Sequence, residues 1–406
     1  MLINEESGLI ENCYIKNIDV EKSRIQSGFV GTNNGKIKKI NCKLNENRYV
    51  SMAGFCFANS GEISSCKSKC SVKGEAVTSG DFVGINSGKI ENCSSNGNLE
   101  INGYESDVEV CEILRFFTFA GALVGTIGML YLLLNGKKAN TGGFCGNNSG
   151  EINFCDSDSD IKASSKIVTF KIKCGGFVGD NSGKINSCIS RGSAAGQEYV
   201  GGFCGSNTGD ILSCKSRCYA KASTKINTNI CGGFVGENRG KIKDSMSNRN
   251  VTGEEYVGGF AGVNKSEISD CNTCGKATAK TKIHTALAGG FVGENEKGKI
   301  VNCTATGGAD SRSNLGPAKA GGFVGTNKAS IVNSNASGNV YLSSGFFYKD
   351  NGCGGFVGKN DQGGSIEGCY AEATVETTNK NKGGGFVGEA ENKSSVKNSK
   401  CKSVVV

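Results

Sequence analysis

Hydrophobic positions along this chain recur in short alternating runs rather than at helical spacing. Pieces of about four to six residues, rich in apolar and β-branched side chains, are separated by N-x-G, S-G and N-G turns. The i, i+3, i+4, i+7 pattern of an amphipathic helix does not recur in these pieces. Short runs of this kind, bounded by glycine and asparagine, are typical of β-strands. The pattern therefore predicts many short strands joined by tight corners.

One motif, G-G-F-V-G-x-N-x-G-x-I-x-x-C, organises these runs, and its copies extend along almost the whole chain. The motif Phe occurs twelve times, with spacings that cluster at 26–27 and 30–33 residues and one gap of 62. Self-similarity at such a period is the signature of a solenoid. We therefore expect an all-β fold, a parallel β-helix of about thirteen coils. The twelve positions are Phe29, Phe55, Phe82, Phe144, Phe177, Phe203, Phe234, Phe260, Phe291, Phe323, Phe356 and Phe386.

Each recurrent position has a predicted part in stacking one coil on the next. The Phe rings are expected to form a column with offset contacts between neighbouring coils. An Asn follows four residues after the Phe in eleven copies, among them Asn33, Asn181 and Asn360. Stacked Asn side chains can hydrogen-bond to one another and form a ladder. The glycines two residues further on, such as Gly35 and Gly183, are predicted to adopt a left-handed turn conformation.

A cysteine slot lies three residues after the motif Ile. Cys fills this slot nine times, and Ile or Ser replaces it in the other copies. A slot shared by Cys, Ser and Ile indicates a packing position for a small or apolar side chain. Disulfides between adjacent coils are an alternative, since coils ~4.8 Å apart lie within disulfide range, and a metal site is a third. Examples of the slot are Cys66, Cys93, Cys188 and Cys303.

The motif resembles the GLUG motif of bacterial surface and secreted repeat proteins, including regions of some IgA-peptidase-like proteins. The resemblance extends from about Leu9 to Cys401 in thirteen copies. The chain departs from the family pattern by placing Phe where Leu is frequent, and by its cysteine ladder. The resemblance implies a cell-surface or adhesive setting. It transfers no catalytic residue, because the motif is architectural.

A hydrophobic segment interrupts the repeat and divides the predicted solenoid into 1–103, with four repeat units, and 141–406, with nine. Within the insertion 104–140, the nineteen residues from Phe116 to Leu134, which include Leu130, carry no charge. Gly121 and Gly125 form a GxxxG step suited to close helix packing. Three interpretations remain open: a helix that docks on the solenoid or contacts a partner protein, a membrane-spanning helix, or a degenerate coil.

Composition bears on the function class. The 406 residues include 62 Gly, 1 Pro, no Trp and 1 His, which fits a turn-rich repeat better than a helical globule. The formal charge of +8 is spread over separate lysines, so no nucleic-acid partner is expected. The acidic cluster Asp156, Asp158 and Asp160 and the lone His284 are interpreted as solvated or structural, and no GxSxG, HExxH or Walker motif occurs. We therefore expect no enzyme activity, cofactor or metal.

The first hypothesis is thus a non-enzymatic surface or extracellular scaffold or adhesion module. The opening of the chain shows no signal peptide pattern. The second hypothesis is a filament subunit whose coils stack end to end between molecules, because the chain shows no polar caps at its first and last coils. A carbohydrate-active β-helix enzyme is the third hypothesis.

Overall fold

The computed structural model describes residues 3–16, 26–27, 29–44, 52–75, 78–102, 138–165, 171–224, 228–345, 351–378 and 383–406. These residues form a parallel β-solenoid and contain no helix. Each rung of the solenoid passes in turn through four stacks of parallel strands, here called sheets A, B, C and D. Rungs are numbered from the one that begins with Ile3–Asn4. The prediction of an all-β parallel β-helix is confirmed.

Sheet A contains thirteen strands and carries the V-G-x-N part of the motif. In rungs two to twelve the Val, Cys or Ala that begins the strand and the Asn that ends it are buried, which seals one wall of the core. The strands are Ile3–Asn4, Val30–Asn33, Cys56–Asn59, Val83–Asn86, Cys145–Asn148, Val178–Asn181, Cys204–Asn207, Val235–Asn238, Ala261–Asn264, Val292–Asn295, Val324–Asn327, Val357–Asn360 and Val387–Ala390.

Sheet B also contains thirteen strands and carries the motif Ile, whose side chain faces the core in rungs two to twelve. The residues on either side of the Ile face outward. The strands are Leu9–Glu11, Lys36–Lys38, Glu62–Ser64, Lys89–Glu91, Glu151–Asn153, Lys184–Asn186, Asp210–Leu212, Lys241–Lys243, Ile268–Ser269, Lys299–Val301, Ser330–Val332, Ser365–Glu367 and Ser395–Lys397.

Sheet C is the widest wall, with one strand of up to nine residues in the early rungs and two shorter segments per rung from rung eight onward. Its side chains alternate between core and solvent. The strands are Tyr14–Lys16, Asn41–Leu44, Lys67–Glu75, Ser94–Asn102, Asp156–Ser164, Ile189–Gly196, Lys215–Ala222, Met246–Ser247, Val251–Gly253, Asn272–Thr273, Ala277–Thr281, Thr304–Ala305, Ala309–Ser313, Asn335–Ser337, Val340–Ser344, Tyr370–Glu372, Thr374–Thr377, Lys400–Cys401 and Val404–Val405.

Sheet D completes the rung and leads through a Gly-Phe or related pair into sheet A of the next rung. The strands are Gln26–Ser27, Met52–Ala53, Thr78–Gly80, Lys138–Gly142, Lys171–Gly175, Tyr199–Gly201, Ile230–Gly232, Tyr256–Gly258, Ala286–Gly289, Ala318–Gly321, Gly352–Gly354 and Gly383–Gly384.

The strands on the two sides of residues 103–137 pair directly with each other. Val83 in rung four is the register partner of Cys145 in rung five. Ile90 likewise pairs with Ile152 in sheet B, and Ser94 with Asp156 in sheet C. The described rungs therefore stack without a break across this interruption of the sequence.

An alternating column of charges runs along the outer face of sheet B, one residue per rung from rung two to rung ten. Strand register places these residues on successive rungs. Directly opposed unlike charges favour this register, and a slip by one rung would oppose like charges. We call this column the charge ladder: Lys36, Glu62, Lys89, Glu151, Lys184, Asp210, Lys241, Glu267 and Lys299.

Candidate functional site

The motif phenylalanines form one column through the solenoid interior. From Phe55 to Phe386, the ten successive ring pairs have centroids 4.7–4.9 Å apart and interplanar angles between 0° and 19°. Phe29 is tilted by 50° against Phe55. The centroid spacing matches the separation of neighbouring strands, so strand pairing sets the ring stack. The ten rings from Phe55 to Phe356 are fully buried.

The motif asparagines form a buried ladder beside the rings. In each bond the Nδ2 of one Asn donates to the Oδ1 of the Asn in the next rung, over 2.7–3.0 Å. The ladder begins at Asn4, which the repeat alignment missed because no motif Phe precedes it. Asn33, Asn181 and Asn360 all lie in it, and Ala390 takes the place of Asn in the last rung.

Left-handed backbone occurs at a different place from the one predicted. Gly35 and Gly183 do not have positive φ, so that prediction was wrong. They are glycines because of close approach: a Cβ at Gly35 would lie 2.3 Å from the carbonyl oxygen of Glu5. Positive φ is found instead at the residue before the cysteine slot, in all thirteen rungs, with values between 48° and 65°. That residue makes the sharp corner between sheets B and C.

The cysteine slot completes this corner through hydrogen bonds. The Cys66 thiol donates to the carbonyl of Ser64 at 3.1 Å and accepts from the backbone N–H of Ile40 at 3.5 Å. The thiols of Cys93 in rung four and Cys188 in rung six make the two equivalent bonds, one to a carbonyl and one from a backbone N–H. In Cys303 the thiol donates to the Val301 carbonyl at 3.2 Å. The slot is therefore a hydrogen-bonding position as well as a packing position.

The described cysteines are free thiols, twenty in number, and most of them are buried. Burial raises the pKa of Cys174 and Cys56 to about 12 and that of Cys369 to about 11, because the thiolate would be desolvated. Thiolate is the reactive form of cysteine, so these thiols are poor nucleophiles. Within the part of the chain that the structure describes, no group of three or more His, Cys, Asp or Glu side chains could hold a metal ion.

Asp81 is the exception to the interior pattern, because it stands where other rungs have Gly before the Phe. It is completely buried, and Ser159 donates to its Oδ2 at 3.0 Å, whereas Oδ1 has no hydrogen-bond partner. The carboxyl of Asp81 has room because residue 97 is a glycine. A Cβ at Gly97 would lie only 2.8 Å from Asp81 Oδ1. Burial raises the pKa of Asp81 well above its usual value, and the neighbouring Cys70 adds to the shift.

Variation in length is concentrated at one edge of the solenoid. The connection from B to C contains two residues in every rung, and so does the connection from D to A. The connection from A to B contains two to four residues. The connection from C to D, here called the C–D edge, ranges from the two residues Gln197 and Glu198 to the thirty-five residues 103–137. The large differences in connection length are therefore confined to a single edge.

The C–D edge also carries the lone histidine. His284 Nδ1 lies 3.8 Å from Glu255 Oε1. His284 also borders a cavity of about 600 Å³ that Glu254, Lys282 and Ile283 help to line. Desolvation raises the pKa of Glu255, although the nearby His284 opposes the shift. Ile283 and Leu315 are exposed on adjacent rungs of this edge. The edge thus offers both ionisable and apolar side chains to solvent.

The clustered carboxylates Asp156, Asp158 and Asp160 occupy successive outward positions of one sheet C strand, with buried residues between them. Asp156 pairs with Arg191 at 3.3 Å, and Asp160 accepts a hydrogen bond from Ser193 at 2.6 Å. Asp156 and Asp160 are thus engaged with side chains of the next rung. The structure does not bring them together with His284.

The hydrophobic segment lies outside the described residues, and with it Phe116, Gly121, Gly125, Leu130 and Leu134. Among the residues that are described, no helix is long and apolar enough to cross a membrane.

Comparison with known proteins agrees with the motif. The family model of the GLUG motif matches residues 284–310 and 351–376, so the chain carries that motif. A crystal structure of a candidate immunoglobulin A1 protease from Bacteroides ovatus is similar at 20% identity and a TM-score of 0.36, covering 62% of this chain and 73% of that one. A likeness this low carries no argument about activity. No curated protein matches the chain.

Proposed function

We propose that this GLUG-motif β-solenoid is a non-catalytic scaffold of the cell surface or extracellular space, which displays binding segments from its C–D edge. The observation that carries the proposal is the restriction of large length variation to that edge. Loops on a rigid framework tolerate insertion and are where binding residues concentrate. A solenoid also spaces such loops at regular intervals of ~4.8 Å per rung.

The interior chemistry supports a structural role. The Phe column, the Asn ladder and the cysteine slots all join one rung to the next. Their side chains are buried, which removes them from any substrate. Side chains of the C–D edge are exposed and available for recognition, among them Lys282, Ile283 and Leu315. Adhesion through this edge is the form of the function that we propose.

Surface location can be tested on intact cells that produce the protein. A membrane-impermeant amine reagent should modify Lys280 and Lys282, which border the open C–D cavity, and mass spectrometry would identify the modified peptides. An abundant intracellular protein serves as the control for lysis. Modification of these lysines only after the cells are broken would overturn the proposed location.

The displayed edge can be tested separately. Replacing residues 282–285 by a Gln-Glu pair, as found in rung six, would shorten this connection to the shortest length in the chain. We expect an unchanged circular dichroism spectrum and loss of adherence of the producing cells to the surface that they colonise. Full adherence by cells carrying the folded variant would contradict a role of this edge in adhesion.

End-to-end association is a second proposal, suggested by the exposed Val396, Val404 and Val405 of rung thirteen. The contact between two such molecules would lack the hydrogen bond between ladder Asn side chains, because Ala390 replaces the donor Asn in rung thirteen. Light scattering that shows open-ended growth with concentration would support it, and a fixed mass would overturn it.

A further inference from the structure

An apolar stripe runs along the corner between sheets B and C in rungs five to eight. Each of these rungs contributes one residue: Phe154 is 54% exposed, Leu212 41% and Met246 37%, and Ile189 is half-buried. Single exposed apolar residues are ordinary, but one beside the same corner on each of four successive rungs indicates an interaction site. We call these four residues the apolar stripe.

Phe154 provides a second, independent observation. It occupies the left-handed corner position with φ of 53°, where the other twelve rungs have Asn, Asp, Ser, Lys or Gly. A bulky aromatic residue is unfavourable in this conformation, whereas Asn and Gly adopt it readily. The chain therefore keeps a strained, exposed aromatic side chain at one corner out of thirteen. Such an outlier points to a role outside the fold itself.

The charge ladder on the adjacent face of sheet B determines which partner fits. Two copies related by a two-fold axis parallel to the solenoid axis would place each rung against the same rung, and every charge would meet its like. A two-fold axis along the strand direction instead makes the rungs of the second copy run in the opposite order to those of the first. With this axis between rungs six and seven, Lys184 meets the partner's Asp210 and Glu151 meets the partner's Lys241. The same operation brings Lys89 to the partner's Glu267, and Glu62 to the partner's Lys299.

The apolar stripe has the same centre as this arrangement. Rungs five to eight are symmetric about the point between rungs six and seven, so Phe154 approaches the rung of the partner's Met246. Ile189 approaches the rung of the partner's Leu212. One symmetry operation thus matches the apolar residues with each other and unlike charges with each other, as an isologous interface requires.

We infer that sheet B and the apolar stripe form a two-fold, antiparallel interface with a second copy of this chain. Nine ladder rungs at ~4.8 Å and a three-residue strand give a face of about 43 Å by 10 Å. With the corner added, this lies at the low end of specific interfaces, so a reversible dimer is expected. The inference is independent of the proposed surface function, because it concerns a different face.

Sedimentation equilibrium of the full chain tests the interface. The variant Phe154→Asn with Leu212→Asn introduces residues that neighbouring rungs hold at the same positions, namely Asn92 and Asn186. It should fold at least as well as the wild type and raise the dimer dissociation constant tenfold or more. Leu315→Asn, at the C–D edge, is the matched control and should leave the constant within twofold. A wild type that stays monomeric at 100 µM, or equal dimerisation by the double variant, would overturn the inference.

Cross-linking tests whether the two copies lie antiparallel. Ser187 and Ser213 are the corner residues of rungs six and seven, which the two-fold axis brings together. Ser187→Cys protein mixed with Ser213→Cys protein should give more cross-linked dimer with a bifunctional thiol reagent than either variant alone, above the background of the unsubstituted chain. Equal yields from the mixture and the separate variants, or growth beyond two copies in sedimentation, would refute the antiparallel arrangement.

Discussion

The backbone N–H of Cys214 donates to the hydroxyl of Ser245 at 3.1 Å, and this hydroxyl donates to the carbonyl of Lys243 at 2.8 Å. One rung earlier, the N–H of Cys188 makes the same bond to the Cys214 thiol at 3.4 Å. Thiol and hydroxyl are interchangeable here because each donates one hydrogen and accepts another. In these rungs the slot holds a short side chain with a polar hydrogen, and sulfur is one way to provide it. Ile40 fills the slot of rung two by packing alone.

Substitution of Cys188 separates hydrogen bonding from packing. Cys188→Ser keeps an acceptor for the N–H of Cys155, and we expect its free energy of unfolding within about 1 kcal/mol of the wild type. Cys188→Ala leaves that buried N–H without its partner, at a cost of about 1–3 kcal/mol. Equilibrium urea unfolding measures both. An alanine variant as stable as the serine variant would show that the slot is only a packing position.

The Asn ladder should be sensitive to the loss of a single amide. In Asn181→Asp the carboxylate can accept from Asn148, but it can no longer donate to Asn207 or to the Gly183 carbonyl. We expect a loss of at least ~2 kcal/mol at pH 7 because buried acceptors then face each other unpaired. The loss should shrink toward pH 4, where the carboxyl regains a proton. A variant equal to the wild type at pH 7 would contradict this account.

The substitution Ala390→Asn should add one hydrogen bond to the same Asn ladder. Ala390 is the register partner of Asn360, so an Asn in its place would extend the row by one bond. We expect stabilisation of about 0.5–1 kcal/mol, the usual net value of one hydrogen bond. Thermal unfolding under matched conditions measures the gain, and a fall in the midpoint would indicate that rung thirteen does not hold the ladder geometry.

Asp81 should make stability fall as pH rises. Its folded pKa is raised well above the unfolded value, so the folded state keeps a proton that the unfolded chain releases above about pH 4. This contribution to stability is complete below that pH and is lost as pH rises toward the folded pKa, with a slope of up to ~1.4 kcal/mol per pH unit. Asp81→Asn removes the titration. The stability difference between variant and wild type should therefore grow from pH 5 to pH 8, and a constant difference would refute the assignment.

Most of the fold was predicted from the recurrent residues, because a residue type that recurs at a fixed spacing occupies the same position in every coil of a solenoid. The spacing of Phe, Asn, Ile and Cys was sufficient to predict parallel coils and a buried Asn ladder. The left-handed corner was missed because its residue varies among Asn, Ser, Asp, Lys and Phe, and glycine occurs there only at Gly368. Asn4 was missed because the alignment used Phe as its anchor.

The outer faces were harder to predict, since they depend on which variable residues become neighbours. The alternation of charge just before the motif Ile of rungs two to ten is visible in the sequence once coils are aligned on Ile rather than Phe. The apolar stripe required the structure, because Phe154, Leu212 and Met246 occupy three different motif positions. All of these positions lie within two residues of the cysteine slot, at the corner between sheets B and C.

The central claim is that the C–D edge varies widely in length, whereas the other three corners contain only two to four residues. Its most direct test compares a Gly-Ser-Gly-Ser insertion after Lys282, at the C–D edge, with the same insertion after Asn302, at the two-residue B–C corner. Lengthening the four-residue C–D connection to eight should cost about 0.6 kcal/mol of unfolding free energy, the loop-closure cost of one doubling. The B–C insertion should cost at least ~3 kcal/mol, because it displaces a left-handed corner and the buried hydrogen bonds of its cysteine slot. Equal losses for the two insertions, measured by chemical denaturation, would contradict the account.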